Sequence, residues 1–433
     1  MQMSCAHDIS FSRVRSSAFR AIIRHGEKQM SDLIELNCRR YRKPQRPTVI
    51  ICVDGCDPEY LERGIPDGVF PTIGSFRRTG FLGAADAVVP TFTNPNNVSI
   101  VTGAPPSVHG IAGNYCLDRE TGREIMMTDE RLMRSETILA LMAGAGVRAA
   151  AITAKDKLRK LLGRNLAGIC FSSECAGAEV EAMVGRARPD MYSADLSLFV
   201  LDAGIALLKR READLLYLSL SDYVQHAHAP GDPEADAFHR AIDDRVGCLV
   251  ELGAVVGLVA DHGMNDKALP DGAPNVIFLE DALNDRFGVG AVRVICPITD
   301  PFVRHHGALG SFVRVYDRRA ADLAALMTAS AALPGVALVL DGPEAARRFE
   351  MPADREADFV ALGDENTVIG ASRAEHDLSG LAGHRLRSHG GLGEQVVPFI
   401  LSRPLTREYR QVSESRRLRN FDIFDFALNA VEN

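Results

Sequence analysis

Short, nearly continuous apolar runs recur along the chain at Thr48 to Val53, Arg148 to Thr153, Leu215 to Leu220, Ala254 to Ala260 and Val396 to Leu401. They are aliphatic, too short for a typical helix, and the first ends at the turn pair Asp54-Gly55, so each predicts a strand buried on both faces. Helical spacing fills several of the intervals between them. That alternation predicts an α/β fold with a mostly parallel central sheet, right-handed crossovers and helices on both faces. Between about Asn265 and Leu381 the pattern changes to short alternating strands with Pro/Gly turns and one Ala-rich helix near Ala320 to Ser330. The reading is therefore a core over 47–266 and 382–433, interrupted at 267–381 by an inserted, smaller α+β cap domain placed to roof a site.

Residues 1–46 differ from the rest. They are basic, with an amphipathic stretch from Phe11 to Ile23, and read as a poorly ordered extension with no assigned function. At 433 residues, the chain is long enough for a large core plus a smaller domain. A net charge of -8, with no basic stripe interleaved with aromatics, argues against a nucleic-acid partner. No apolar run approaches the ~18 residues that span a bilayer, so no membrane insertion is expected. The nine cysteines are an odd set without a CxxC pair. They read as reduced thiols of a cytoplasmic protein rather than as disulfides or a thiolate metal site.

Chemistry gathers just past the apolar runs. Asp54 follows VIICV, Asp222 follows LLYLSLS and Asp261 follows VVGLVA; His226 lies four residues after Asp222, His262 adjoins Asp261, and His389 follows much later in RSHGG. In open parallel sheets, ligands bind beyond the carboxyl ends of the strands, so these side chains can meet in one crevice. Three Asp and three His there suit a two-metal centre. The segment PTFTNPNNVSIVTG places Thr93 two residues before Pro95, a residue favoured in the first turn of a helix, with Gly103 as a stop. A Thr there is ordinarily an N-cap, but beside metal ligands its hydroxyl is a candidate nucleophile at the positive end of a helix dipole.

The motifs VDGCDPEY, PTFTNPNNVSIVTG, HGIAGN, SDYVQH, ADHGMND and RSHGG, in this order from about Pro47 to the C-terminus, resemble those of the alkaline phosphatase superfamily. Within it the likeness is to the phosphonoacetate hydrolases, with the nucleotide pyrophosphatase/phosphodiesterases also near. The resemblance implies two zinc ions, one held by Asp222, His226 and His389 and the other by Asp54, Asp261 and His262 with Thr93 as oxygen ligand and nucleophile. Asn114 in HGIAGN maps to an amide donating to a phosphoryl oxygen, and the Thr153-Ala-Lys-Asp-Lys157 stretch maps Lys155 and Lys157 to the substrate carboxylate. The implied reaction is cleavage of the carbon–phosphorus bond of phosphonoacetate, a small anionic substrate, through a Thr93 phosphoenzyme. The alternative is a phosphodiesterase or nucleotide pyrophosphatase of the same superfamily. Asn94, where many diesterase relatives carry an aromatic residue, weighs against that alternative. A homodimer is left open. Outside the site, His228 and His239 read as surface residues, His109 as a turn element, His305-His306 as a loop feature, and Asp57 and Asp266 as caps or supporting hydrogen-bond partners; His384 stays open.

Overall fold

Eight strands build the central sheet: β1 Thr48–Cys52, β2 Phe81–Asp86, β3 Ala149–Thr153, β4 Ile169–Ser172, β5 Leu215–Ser219, β6 Val255–Val259, β7 Val396–Leu401 and β8 Leu418–Arg419, in the spatial order β8-β2-β7-β6-β1-β5-β3-β4. The computed structural model describes residues 33–119, 121–298, 309–319, 322–381 and 385–431. The stretch Phe11 to Ile23, the His305-His306 pair and His384 lie outside the described residues. Strands β6, β1, β5, β3 and β4 run parallel, whereas β7 runs antiparallel to both β6 and β2. All five residues of β1, β3, β5 and β6 are buried, which explains why they read as unbroken apolar runs.

Two helix layers cover the sheet. One joins Pro71–Thr79, Ala178–Val184, Asp195–Lys209 and Pro233–Glu251; the other joins Thr93–Thr102, Ile138–Gly144, Asp156–Leu162 and Ile423–Asp425. Between β6 and β7 the chain forms a separate antiparallel sheet of Val292–Ile295, Phe312–Asp317, Phe359–Gly363 and Val336–Asp341, in that order. Helices Leu279–Phe287 and Leu323–Ala331 contribute to its own apolar cluster, in which Leu283, Val294, Val313, Leu326 and Phe359 are buried.

Part of the stretch expected to be a poorly ordered extension is ordered. Leu33–Leu36 and Arg39–Arg42 pair as an antiparallel hairpin, with Tyr41 fully buried in the main core and the Arg39 guanidinium 2.7 Å from Asp422. Alternating charged and apolar residues, RRYR, hide this packing in the sequence because only one side chain in two turns inward.

The Tyr41 ring rests against the end of the helix Thr93–Thr102. Its hydroxyl is buried without a hydrogen-bond partner, and a Cβ added at Gly103 would lie 2.0 Å from it. Gly103 also holds a left-handed φ of 61°, which costs a side chain about 1–2 kcal/mol. Gly103→Ala should therefore lower the melting temperature by several degrees, and adding Tyr41→Phe should recover part of the loss, as read by thermal denaturation.

Candidate metal centre

The topology brings the acidic residues together. Because β6, β1, β5 and β3 are parallel neighbours, Asp261, Asp54, Asp222 and Lys155 line one rim of the sheet side by side, each two or three residues beyond its strand. Strand β7 runs the opposite way and so begins at that rim, which lets His389, seven residues before Val396, arrive from the far end of the chain. Gly55, at φ 71°, lets the chain turn away after Asp54 where a Cβ would come within 3.2 Å of Asp222 Cβ.

Two clusters of donor atoms result. Asp54, Asp261 and His262 form one, which is the expected second ligand set. The other contains Asp222 and His389 with His262 as third member; His226 stands beside it, its Nε2 3.1 Å from Asp222 Oδ2. All three imidazoles are anchored in the same way: Nδ1 lies 2.9 Å from Arg387 O in His226, 2.9 Å from Gly263 O in His262 and 2.8 Å from Thr91 O in His389. A ring that donates Nδ1–H to a carbonyl keeps the Nε2 lone pair for a metal. His389 Nε2 is buried with no hydrogen-bond partner among the described residues, and Asp54 Oδ1 has only His262 Nε2, 3.2 Å away, beside it. Oxygen and imidazole donors with orphaned, inward-facing lone pairs fit a divalent metal.

The crowded acids hold protons that a bound metal would displace. Burial and the neighbouring Asp54 push the Asp261 carboxyl up to about 8. Burial acts to lower His262, but Asp261 and Asp54 outweigh it and raise the imidazole to about 9. Burial also acts to raise Asp222, yet Lys155 and His226 hold it well below the usual carboxylate range. For His389, burial with His262 and His226 depresses the pKa, keeping the ring neutral.

Thr93 opens its helix at this rim, with Oγ1 3.5 Å from His262 Nε2. Phe92, not Thr93, occupies the N-cap position, so the Thr93 hydroxyl is not committed to capping. Asn114 accepts the Asn94 N–H on Oδ1 at 2.9 Å, which leaves Nδ2 as the outward donor. The two lysines are not equivalent: Lys155 is buried, with Nζ 2.7 Å from Asp222 Oδ1 and 3.3 Å from Asp54 Oδ2, whereas Lys157 is exposed. Both border a small pocket beside Thr93, Asn94 and Asn114, completed by Met126, Thr128 and Leu158.

Several supporting residues were not foreseen. Asn97, one helical turn after Thr93, donates to Asp261 Oδ2 at 2.9 Å and accepts from Tyr217 and Ser219 at 2.7 and 2.9 Å. Arg387 donates to Gln225 O and Met264 O and pairs with Asp266, tying the His226 helix to the segment after His262. The Lys267–Glu394 ion pair is fully buried at 2.7 Å, and Glu394 also accepts from Asn265 Nδ2 and the Gly391 N–H. In sequence, only the position of Asn97, four after Thr93, could have signalled its role.

Among the demoted residues, His228 is partly exposed, Asp57 caps Pro58–Gly64, Asp266 pairs with Arg387, and His109 sits at a helix end with Nε2 2.8 Å from Ser99 Oγ. His239 departs from expectation: it is buried against Tyr60, Phe70 and Phe238, and burial lowers it to about 4. Two of these partners, Tyr60 and Phe70, come from a distant part of the chain, so the pattern of its own helix did not reveal them.

Comparison with known proteins sorts this geometry into a family: the family model for type I phosphodiesterase / nucleotide pyrophosphatase matches residues 48–391. The chain belongs to this family. It thereby joins the alkaline phosphatase superfamily. Crystal structures of phosphonoacetate hydrolase from Sinorhizobium meliloti 1021, with phosphonoformate or phosphonoacetate, are 45% identical, cover 92% of this chain and 98% of theirs, and superpose with a TM-score of 0.87. A phosphonoacetate hydrolase of Penicillium oxalicum is 69% identical over 56 residues, 12% of this chain and 78% of that sequence. Human ectonucleotide pyrophosphatase/phosphodiesterase family member 1 is 26% identical over 287 residues, 60% of this chain and 28% of that protein. The chain thus spans about half or less of the ectonucleotide and yeast family members it matches.

Within this family member, the Lys267–Glu394 pair joins the segments that follow His262 and His389. Removing one charge strands the other in a dry site, at a cost of about 3–5 kcal/mol. Glu394→Gln should lower stability to urea by that order, and Lys267→Met in the same chain should restore most of it.

Proposed function

We propose that this chain hydrolyses the carbon–phosphorus bond of phosphonoacetate to acetate and phosphate through a phosphoenzyme on Thr93. The observation that carries the reading is its likeness, over nearly the whole chain, to a phosphonoacetate hydrolase. The small, lysine-bordered pocket beside Thr93 supports it, because a compact substrate with a second anionic group gains from those cations and a nucleoside does not.

The mixed carboxylate and imidazole donors suit two zinc ions, one with Asp222, His226 and His389 and one with Asp54, Asp261, His262 and Thr93. When bound, such ions supply Lewis-acid polarisation of phosphoryl oxygens and favour the ionised hydroxyl. The chain's own residues do the rest. The Thr93 hydroxyl loses its proton to water, its oxygen attacks phosphorus while Asn114 Nδ2 donates to a phosphoryl oxygen, and the bond to carbon breaks. The electron pair passes into the adjacent carboxylate as an enolate-like dianion, whose charge Lys155 and Lys157 offset until water protonates the carbon to give acetate. A second water then attacks the phosphothreonine, releasing phosphate and restoring the hydroxyl. Alkylphosphonates without the carbonyl neighbour cannot delocalise the pair and should not react.

The eight cysteines among the described residues are all free, which supports a reducing, cytoplasmic setting, and no described helix is long and apolar enough to cross a membrane.

The test is phosphate release from phosphonoacetate, bis-p-nitrophenyl phosphate and methylphosphonate at equal concentration by zinc-loaded protein. Turnover of phosphonoacetate above both others is expected; a preference for the diester would move the chain to the phosphodiesterase alternative. Thr93→Ala should reduce turnover about a thousandfold or more, and a variant with full activity would sink the phosphoenzyme. Chelation should abolish activity, and zinc should restore it.

A further inference from the structure

Three residues from separate segments close a hydrogen-bonded ring around the pocket. The Asn94 N–H donates to Asn114 Oδ1 at 2.9 Å, Asn94 Nδ2 donates to Met127 O at 3.1 Å, and the Met127 N–H donates back to Asn114 O at 2.9 Å. Every member is buried. The ring therefore fixes the residue after the nucleophile, the phosphoryl donor and the end of the Tyr115–Met126 hairpin as one rigid unit. The next residue along, Thr128, faces the same pocket as Thr93, Asn114 and Lys157, is half-buried, and its hydroxyl makes no hydrogen bond among the described residues.

We propose that Thr128 is a substrate-binding residue whose hydroxyl donates to the distal carboxylate of the substrate, and that Asn94 is the positioning residue that holds it there through Met127. This rests on the phosphonoacetate reading and deepens it. A carboxylate is planar and accepts on two oxygens. Lysine ammoniums act as point charges and fix no orientation of the carboxylate plane, whereas a hydroxyl on a braced backbone fixes one oxygen and so turns the carbon–phosphorus bond toward Thr93. Ligands without the carboxylate leave the hydroxyl to water and gain nothing from it. The same bracing accounts for an amide at position 94: any residue unable to donate to Met127 O opens the ring.

Thr128→Val, Thr128→Ser, Asn94→Ala and the Thr128→Val/Asn94→Ala pair are assayed with phosphonoacetate and with p-nitrophenyl phosphate, which carries no carboxylate. Thr128→Val should raise the ratio of the KM for phosphonoacetate to that for the ester about tenfold, the loss of one charge-assisted hydrogen bond. Thr128→Ser should keep the wild-type ratio. In the Asn94→Ala background the valine change should add little, because the hydroxyl is already misplaced. An unchanged ratio in Thr128→Val, a serine variant as impaired as valine, or full additivity would each overturn the proposal. If the valine variant fails to fold, Thr128→Ala takes its place. Should the wild-type protein not turn over phosphonoacetate at all, the phosphonoacetate reading fails. Inhibition of ester hydrolysis by phosphonoformate relative to methylphosphonate then still tests Thr128: selective weakening in Thr128→Val supports the contact, and equal inhibition removes it.

Discussion

Three carboxylates converge in a buried crevice, and much of the surrounding structure answers that single electrostatic problem. Asp54, Asp222 and Asp261 are all fully buried. Like charges in a dry site repel strongly, and each ionised group carries a large desolvation cost unless cations and donors offset it. The compensation comes from several sides: Lys155 pairs with Asp222 and Asp54, Asn97 donates to Asp261, and the His262 imidazole, raised by these acids, lies 3.2 Å from Asp54 Oδ1. The parallel strands deliver the acids, but these contacts keep the acids from turning away. His262 belongs to both donor clusters, so the two are one charge system rather than two adjacent ones.

Much of this centre is legible in the sequence because buried parallel strands leave an unmistakable trace: the acids follow apolar runs, and the rim rule then gathers them. Pro95 and Gly103 bracket the helix of Thr93 just as plainly. The unread parts share a different physical origin. A short apolar run carries no sign of its direction, so β7 could not be recognised as antiparallel. Phe81–Asp86, at the half-exposed side of the sheet, mixes buried and open positions, and Leu418–Arg419 is only two residues long. Lys267 looks like a surface residue because nothing nearby in sequence announces Glu394. The difference between Lys155 and Lys157 arises from the first turn of one helix, where two residues of separation carry one side chain into the rim and the other to solvent.

Asn114 depends on a different framework from the acids. Its N–H donates to Pro297 O, the preceding Ala112 O accepts from the fully buried Arg314, itself paired with Glu356, and Arg355 reaches Gly110 O. All four of those partners belong to the chain between β6 and β7. The candidate metal-binding side chains, in contrast, hang from the central sheet and the loops beside it.

The boundary between those two frameworks therefore runs through the catalytic pocket itself. A small slip along it would change the distance between Asn114 and Thr93 while leaving the donor clusters intact. Changes in the antiparallel sheet far from the pocket thus reach Asn114 without passing through the donor clusters. Within a family whose members are named for both diester and phosphonate hydrolysis, that is a route by which the pocket can be retuned from a distance.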